Sequence, residues 1–286
     1  MDVISHPGFA TLHVPATRGN AEHPGRLDCL HKRFSDYVVA EPAATNAIRL
    51  VHSPQYVDSI DAISEDVWLD PDTYANATTS EAARLAAGCA IAAVAEGGFA
   101  LVRPPGHHAL ESAAMGFCIF GNVAIAARHA QRALGIGRVA VVDFDVHHGN
   151  GTEALFRDDP SVLTVSLHQW PFWPGTGGPG SNAEGIVNVP LVAGSGDVEY
   201  RTAFAETVEP AVRAFEPELV IVAAGFDAHV DDPLAEMAVS ADGFRELAQR
   251  CAALAPRVAA VLEGGYNLET LPGLVEAALE GFENRS

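Results

Sequence analysis

The strongest constraint on this chain is a series of short, predominantly apolar runs that alternate with helical segments. Phe99 to Val102, Val139 to Val142, Val162 to Leu167, Leu219 to Ala224 and Val258 to Leu262 are such runs, and none keeps a strict apolar–polar alternation. That pattern suits strands buried on both faces, because a half-exposed strand alternates. Between and around the runs, Ala82 to Glu96, Asn122 to Leu134, Thr152 to Arg157, Asp197 to Phe215 and Ala241 to Leu254 read as helices, and another begins near Leu271. Thr79 or Ser80 lies near the first helix's N-cap, Ser240 suits the cap before Ala241, and Pro210 predicts a kink or split in the 197–215 helix. The alternation predicts an α/β fold, a parallel sheet covered by helices on both sides. No internal repeat or linker marks a boundary, so residues 1–286 read as one domain.

In such sheets, ligands bind beyond the carboxyl ends of the strands. The polar motifs of this chain fall at those places. The runs lead in turn into Arg103-Pro-Pro-Gly-His107-His108, Asp143-Phe-Asp145-Val-His147-His148-Gly-Asn150, His168 followed by a Trp173-containing loop, Gly225-Phe-Asp227-Ala-His229-Val-Asp231-Asp232, and Glu263-Gly-Gly-Tyr266. Five strand ends remote in sequence would share one rim. Their convergence is a stronger signal than any single motif.

Composition narrows the function. The formal net charge is −20, from 37 acidic and 17 basic residues, which disfavours nucleic acid and anionic lipid as partners and suits a cationic substrate. The four cysteines form no CxxC pair, which argues against a disulfide framework or a thiolate zinc site and for a reducing compartment. The stretch MDVISHPGFATLH lacks a basic start and a long apolar run, and the most apolar region, Ala86 to Val102, is broken by Glu96 and two glycines. The expectation is a cytoplasmic protein that neither spans nor binds a membrane; a homo-oligomer is compatible with this composition.

The rim residues suit metal-assisted hydrolysis. Asp143, Asp145 and His147 occupy alternate positions at a strand end, which puts their side chains on one side. Zinc accepts carboxylate oxygen and imidazole nitrogen, and a catalytic zinc uses three protein ligands plus water. Asp145 and His147 supply two ligands and Asp227 the third. A strand-end Asp on its own more often caps a helix or stabilises a turn; the five-fold convergence favours the metal. His107 and His108, delivered by a Pro-Pro-Gly turn, can take a proton from water and give one to a leaving amine. Asp143 can orient one imidazole and Asn150 the other. The neutral partner raises a histidine pKa less, so the Asn-paired histidine is the better base. Tyr266 can donate to a developing oxyanion, and Phe117 and Trp173 can wall a narrow channel. His148 points away from His147, and His229 lacks the spare carboxylates a second metal would need.

The strings RPPGHHA, GFCIFGN, VDFDVHHGNG, VSLH, AGFDAHVDDPL and LEGGYNLE resemble the histone deacetylase superfamily. The likeness is greatest to its class II-like branch of bacterial deacetylases and acetylpolyamine amidohydrolases. These motifs occur in the family's order across about residues 20 to 270. The resemblance implies the arginase–deacetylase fold, with a mostly parallel sheet of about eight strands. It implies one catalytic zinc, or iron(II) in its place, on Asp145, His147 and Asp227. His107 would pair with Asp143 and His108 with Asn150, with His108 as base and then acid, and Tyr266 would polarise the scissile carbonyl. A structural potassium is implied near Asp143, the backbone of Asp145 and His147, Ser166 and Leu167, and an acetate-receiving cavity at Arg26. The implied substrate is an acylated amine, either an acyl-lysine or a small molecule. Trp173 stands where a smaller aromatic is usual. Leu234 stands where a polyamine-selective member can carry a gatekeeping Glu. Two alternatives remain: an arginase-like ureohydrolase, against which Phe144, Val146 and His229 interrupt the second metal's carboxylate pattern, and a non-catalytic acyl-binding module.

Overall fold

The computed structural model describes residues 1–16 and 19–284. Among these residues lie the strands β1 (Val3–Ser5), β2 (Val38–Val39), β3 (Val67–Trp68), β4 (Tyr74–Ala75), β5 (Phe99–Ala100), β6 (Val139–Asp143), β7 (Val162–Gln169), β8 (Ile186–Leu191), β9 (Leu219–Ala224) and β10 (Arg257–Leu262). Eight of them form one sheet in the order β2-β1-β5-β10-β9-β6-β7-β8, with every neighbouring pair parallel. β3 and β4 form a separate antiparallel hairpin.

The apolar runs explain the sheet. Every residue of β6, β7 and β9 is buried, so both faces of the sheet are covered there. Val220, Ile221 and Val222 have no exposed surface, and burying each such side chain stabilises the fold by about 1.5–3 kcal/mol relative to leaving it in water. The helices Thr79–Glu96 and Asn122–Ala133 pack on each other, as do Ala241–Ala252 and Leu271–Glu283. Among the described residues, no helix is long and apolar enough to cross a membrane.

Several elements differ from the sequence reading. β1 and β2 are too short to stand out as patterns. β8 carries Asn188 and Pro190, and its place at the sheet edge is where a missing N–H is tolerated. The interruption expected at Pro210 takes the form of a change in helical winding just before it. A π-helical turn, Phe204–Val208, joins Asp197–Ala203 to Glu209–Phe215, and its wider winding accommodates the backbone bond that proline cannot make. Ser240 caps as expected, its side chain accepting from Gly243 N. The helix Thr79–Glu96 has Thr78 as N-cap with no side-chain cap bond, and it ends at left-handed Gly97.

The sheet order sets up the site. β5, β10, β9, β6 and β7 are five consecutive strands, and they are the five whose carboxyl ends carry the polar motifs. All run the same way, so those motifs lie side by side.

Candidate active site

Regular strand structure stops at Asp143, so pleat alternation does not bring Asp145 and His147 together as the sequence reading assumed. Side-chain-to-backbone turns do so instead. Asp143 Oδ1 accepts from Asp145 N at 3.0 Å, and Asp145 Oδ1 accepts from His147 N at 2.9 Å. From the adjacent strand end, Asp227 Oδ1 accepts from Val146 N at 2.9 Å, which ties the two segments together. One ligand atom each from Asp145, His147 and Asp227 then lies within 4.8 Å of the others.

Two glycines make this cluster possible. A Cβ at Gly225 would stand 2.2 Å from Asp145 Oδ2, and one at Gly264 would stand 2.1 Å from Asp227 Oδ2. Asp145 and Asp227 are buried, yet among the described residues no Lys or Arg pairs with either one. Asp227 Oδ2 makes no hydrogen bond; His147 Nδ1 stands 3.2 Å away but off the hydrogen-bonding direction. Burial and then the Asp145 charge push Asp227 up. Burial opposes ionisation of Asp145 as well, but His107 and His147 hold it well below the carboxylate range. Burial likewise opposes a charge on His147, which Asp145 and Asp227 nevertheless raise to about 10. Two buried carboxylates and one imidazole, one oxygen unpartnered and glycines clearing the space, fit a divalent cation of zinc type.

Beside this cluster stand His107 and His108, their ring centroids 3.8 Å apart. His107 Nδ1 lies 2.9 Å from Asp143 Oδ2, and His108 Nδ1 lies 2.7 Å from Asn150 Oδ1. An amide oxygen only accepts, so His108 carries its proton on Nδ1 and presents a free Nε2 lone pair when neutral. Burial opposes charge on both rings. Asp145 and Asp143 overcome it at His107, which is raised well above the usual imidazole range. At His108, burial is reinforced by His107 and His147, and the ring is pushed well below that range. Adjacent histidines are thus driven apart, one toward the cation and one toward the free base.

The approach to the cluster is aromatic. Trp173 packs edge-on to His108 with centroids 4.6 Å apart, and the Phe117 ring lies 5.8 Å from that of Tyr266. Tyr266 follows Gly265, whose φ of +114° favours glycine, and its backbone N donates to Asp232 Oδ2 at 2.7 Å. Burial raises the Tyr266 phenol well above its ordinary value, so it stays a protonated donor at neutral pH. Leu234 and Phe117 share a hollow of about 420 Å³ with Trp68 and Asp72. Buried Arg26 donates from Nε to Gly265 O at 2.8 Å and from NH2 to Glu263 O at 2.5 Å, and its NH1 has no hydrogen-bond partner. Asp143 and Ser166 are directly paired across β6 and β7, and Leu167 is the next residue of β7.

The family model described as histone deacetylase domain matches residues 20–282. The chain belongs to the histone deacetylase family. A probable deacetylase of Methanothermobacter thermautotrophicus is 38% identical over 98% of this chain and 90% of its own length. The chloroplastic histone deacetylase 14 of Arabidopsis thaliana is 45% identical over 71% of this chain, and the polyamine deacetylase HDAC10 of Mus musculus is 41% identical over 80%. This chain spans only 53% and 38% of those two relatives. The crystal structure of the HDA15 HD domain superposes with a TM-score of 0.91 at 35% identity, covering 99% of this chain and 91% of that one. The fold is therefore the arginase–deacetylase α/β fold.

In this deacetylase-family chain, other histidines lie outside the cluster. His148 sits between Thr176 Oγ1 at 2.8 Å and Glu153 Oε2 at 3.0 Å, and His168 lies between Ser166 Oγ and the carbonyl of Gly177. His229 Nδ1 accepts from Asp231 N. Sequence reasoning missed Phe172, which stacks on His147 at 5.3 Å and 25°. It also missed the close fit of Gly116, where a Cβ would meet the Trp173 ring at 2.3 Å. An aromatic next to a chosen aromatic and a glycine next to Phe117 were the available signals, but neither says which way a loop turns.

Proposed function

We propose that this chain is a metal-dependent amidohydrolase that frees an amine from its acyl group, with an acyl-lysine or a small acylated amine as substrate. Family membership supports a hydrolytic deacetylase. The observation that carries the finer reading is the opposed histidine pair beside a carboxylate–imidazole cluster that, among the described residues, no Lys or Arg neutralises.

Asp145, His147 and Asp227 would hold zinc, or iron(II) through the same oxygen and nitrogen donors. Such an ion supplies Lewis acidity, polarising a carbonyl and making water a better nucleophile at neutral pH. His108 takes the proton from the attacking water at Nε2, the position that its Asn150 bond leaves free. It then returns that proton to the departing amine nitrogen. His107, kept cationic by Asp143, stabilises negative charge developing at the reacting centre. The Tyr266 hydroxyl donates to the substrate oxygen as it gains charge. Phe117 and Trp173 restrict entry to a slender chain, and Arg26, whose NH1 makes no hydrogen bond and stands 3.8 Å from Glu22 Oε1, would receive the acid product. Asp143 and Ser166, adjacent in the sheet, would bind potassium with the backbone of Asp145, His147 and Leu167. A polyamine substrate is a second reading, favoured by Asp72 at the mouth and by the polyamine deacetylase named among the relatives; Leu234 offers no charge to a distal ammonium.

Hydrolysis of acetyl-lysine peptides, acetylputrescine and acetylspermidine tests the reading directly. His108→Ala should lower kcat more than His107→Ala, and the reverse order would reassign the base. Tyr266→Phe should lower kcat on the order of 10²-fold, and an unchanged rate would remove Tyr266 from the oxyanion role.

A further inference from the structure

Glu263 is fully buried at the end of β10, and its carboxylate reaches across to the turn that carries the histidine pair. One oxygen, Oε2, accepts from the backbone N of Gly106 at 2.6 Å and from that of His107 at 3.1 Å. The other, Oε1, has no hydrogen-bond partner among the described residues. Burying a carboxylate with one oxygen unsatisfied costs stability, and an apolar side chain of similar volume would fill the space more cheaply. Beyond its charge facing His107, its two backbone bonds point to a gain in geometry.

The surroundings say what that geometry is. Pro104 and Pro105 have no N–H, so Gly106 and His107 provide the first backbone donors of this turn. Gly106 cannot retreat from Glu263, because even a Cβ there would lie 2.5 Å from Asn122 N and 2.7 Å from Phe120 O. Glu263 itself is fixed, since its carbonyl accepts from Arg26 and the next residue, Gly264, donates to Asp145 Oδ2 at 2.8 Å. The four-residue stretch from Glu263 to Tyr266 thus contacts the metal-cluster carboxylate through Gly264, the histidine turn through Glu263 and the phenol by direct linkage.

We propose that Glu263 is a positioning residue that sets the histidine pair relative to the metal cluster and Tyr266 by clamping the amides of Gly106 and His107. The inference rests on the amide-hydrolysis reading above and names a part of that same site. A displacement of about 1 Å in a catalytic group can cost on the order of 10²-fold in rate.

Three variants test it in the metal-loaded protein: Glu263→Gln, which keeps a carbonyl oxygen at the clamp, Glu263→Asp, which keeps the charge but is one methylene too short, and Glu263→Leu, which removes the acceptor. The clamp predicts that Gln retains kcat within a few-fold, while Asp and Leu lose on the order of 10²-fold in kcat with KM little changed. Hydrogen exchange at Gly106 and His107, followed by mass spectrometry, should accelerate in Asp and Leu but not in Gln, with metal content equal in all. If Leu does not fold, the Gln–Asp pair carries the comparison. Equal kcat in Gln and Asp, a loss confined to KM, or unchanged exchange in Asp would overturn the proposal. Wild-type protein inactive on every acylated amine would defeat the hydrolysis reading instead, while the exchange measurement would still judge the clamp.

Discussion

Two buried polar clusters flank Arg26, and they are closed in opposite ways. On one side, Glu22 is 1% exposed, and its two oxygens accept from Arg103 Nε and NH2, both at 2.8 Å. The remaining Arg103 donors go to the carbonyls of Phe9, Leu12 and His13. Burial opposes the Glu22 charge, but its neighbours, Arg103 foremost and Arg26 with it, more than offset it, and the carboxyl is held below its ordinary range. On the other side, Asp143, Asp145 and Asp227 are buried within 2% exposure with imidazoles as their only ion-pair partners among the described residues. A buried charge costs several kcal/mol unless it is paired. The first cluster is neutralised by the chain and fastens the N-terminal segment. The second carries more negative charge than the chain neutralises, which is the electrostatic mark of a site for an added cation.

The largest expected effect comes from removing the proposed cation. Treatment with a chelator should reduce turnover to background, and added zinc should restore it; turnover that persisted in metal-free protein would break the contrast. Zinc at a thousandfold excess over its Kd should also raise stability by about 4 kcal/mol, since it binds only the folded chain. Asp227→Asn sharpens the point because it should weaken metal binding while the metal-free protein melts at or above the metal-free wild type. A clear fall in that melting temperature would mean that Asp227 is structural.

Arg103→Met should do the opposite. It leaves buried Glu22 with only Arg26 NH1 at 3.8 Å and His13 Nε2 at 3.5 Å, and breaking a buried pair from one side costs about 3–5 kcal/mol. Denaturant unfolding measures the loss. The folded fraction should bind zinc with unchanged affinity, and a parallel loss of affinity would join the two clusters into one functional unit.

The same contrast explains what the sequence made legible. Apolar runs report strands buried on both faces, so β6, β7, β9 and β10 were readable, and their parallel direction placed the motifs at one rim. The metal candidates and the histidine pair were readable because their residue types have few other reasons to recur at strand ends. The turns that gather them were not. Asp145 and His147 meet through side-chain-to-backbone bonds beyond β6, which no periodicity records. In the sequence Arg103 stands out only as the start of the histidine motif, although its guanidinium closes the Glu22 cluster. Glu22 is 81 residues away in sequence, and nothing local marks such a partner. Short edge strands such as β2 escaped for a simpler reason: two exposed valines carry no pattern.

The smallest effect expected concerns the neutral member of the Arg103 cluster. His13 lies 3.5 Å from Glu22 and 2.8 Å from Thr79 Oγ1, but burial lowers its pKa from 6.5 to about 4, with Glu22 opposing the shift and Arg103 adding to it. Glu22 is already matched by Arg103, with Arg26 NH1 at 3.8 Å, so a further cation would be in excess. Because the folded-state value is depressed, the unfolded chain takes up the proton first as pH falls. The stability from neutral His13 is therefore fully present above about pH 6.5 and is lost as pH drops toward 4. The full loss is about 3 kcal/mol at 1.36 kcal/mol per pKa unit. Unfolding of chelated protein between those pH values isolates this contribution from the proton release that accompanies metal binding. His13→Gln should make the stability–pH slope shallower by about one proton, or about 1.4 kcal/mol per pH unit. An unchanged slope would mean that His13 is charged in the fold. The Arg103 cluster would then carry excess positive charge, and the contrast with the acidic centre would be one of sign rather than of completeness.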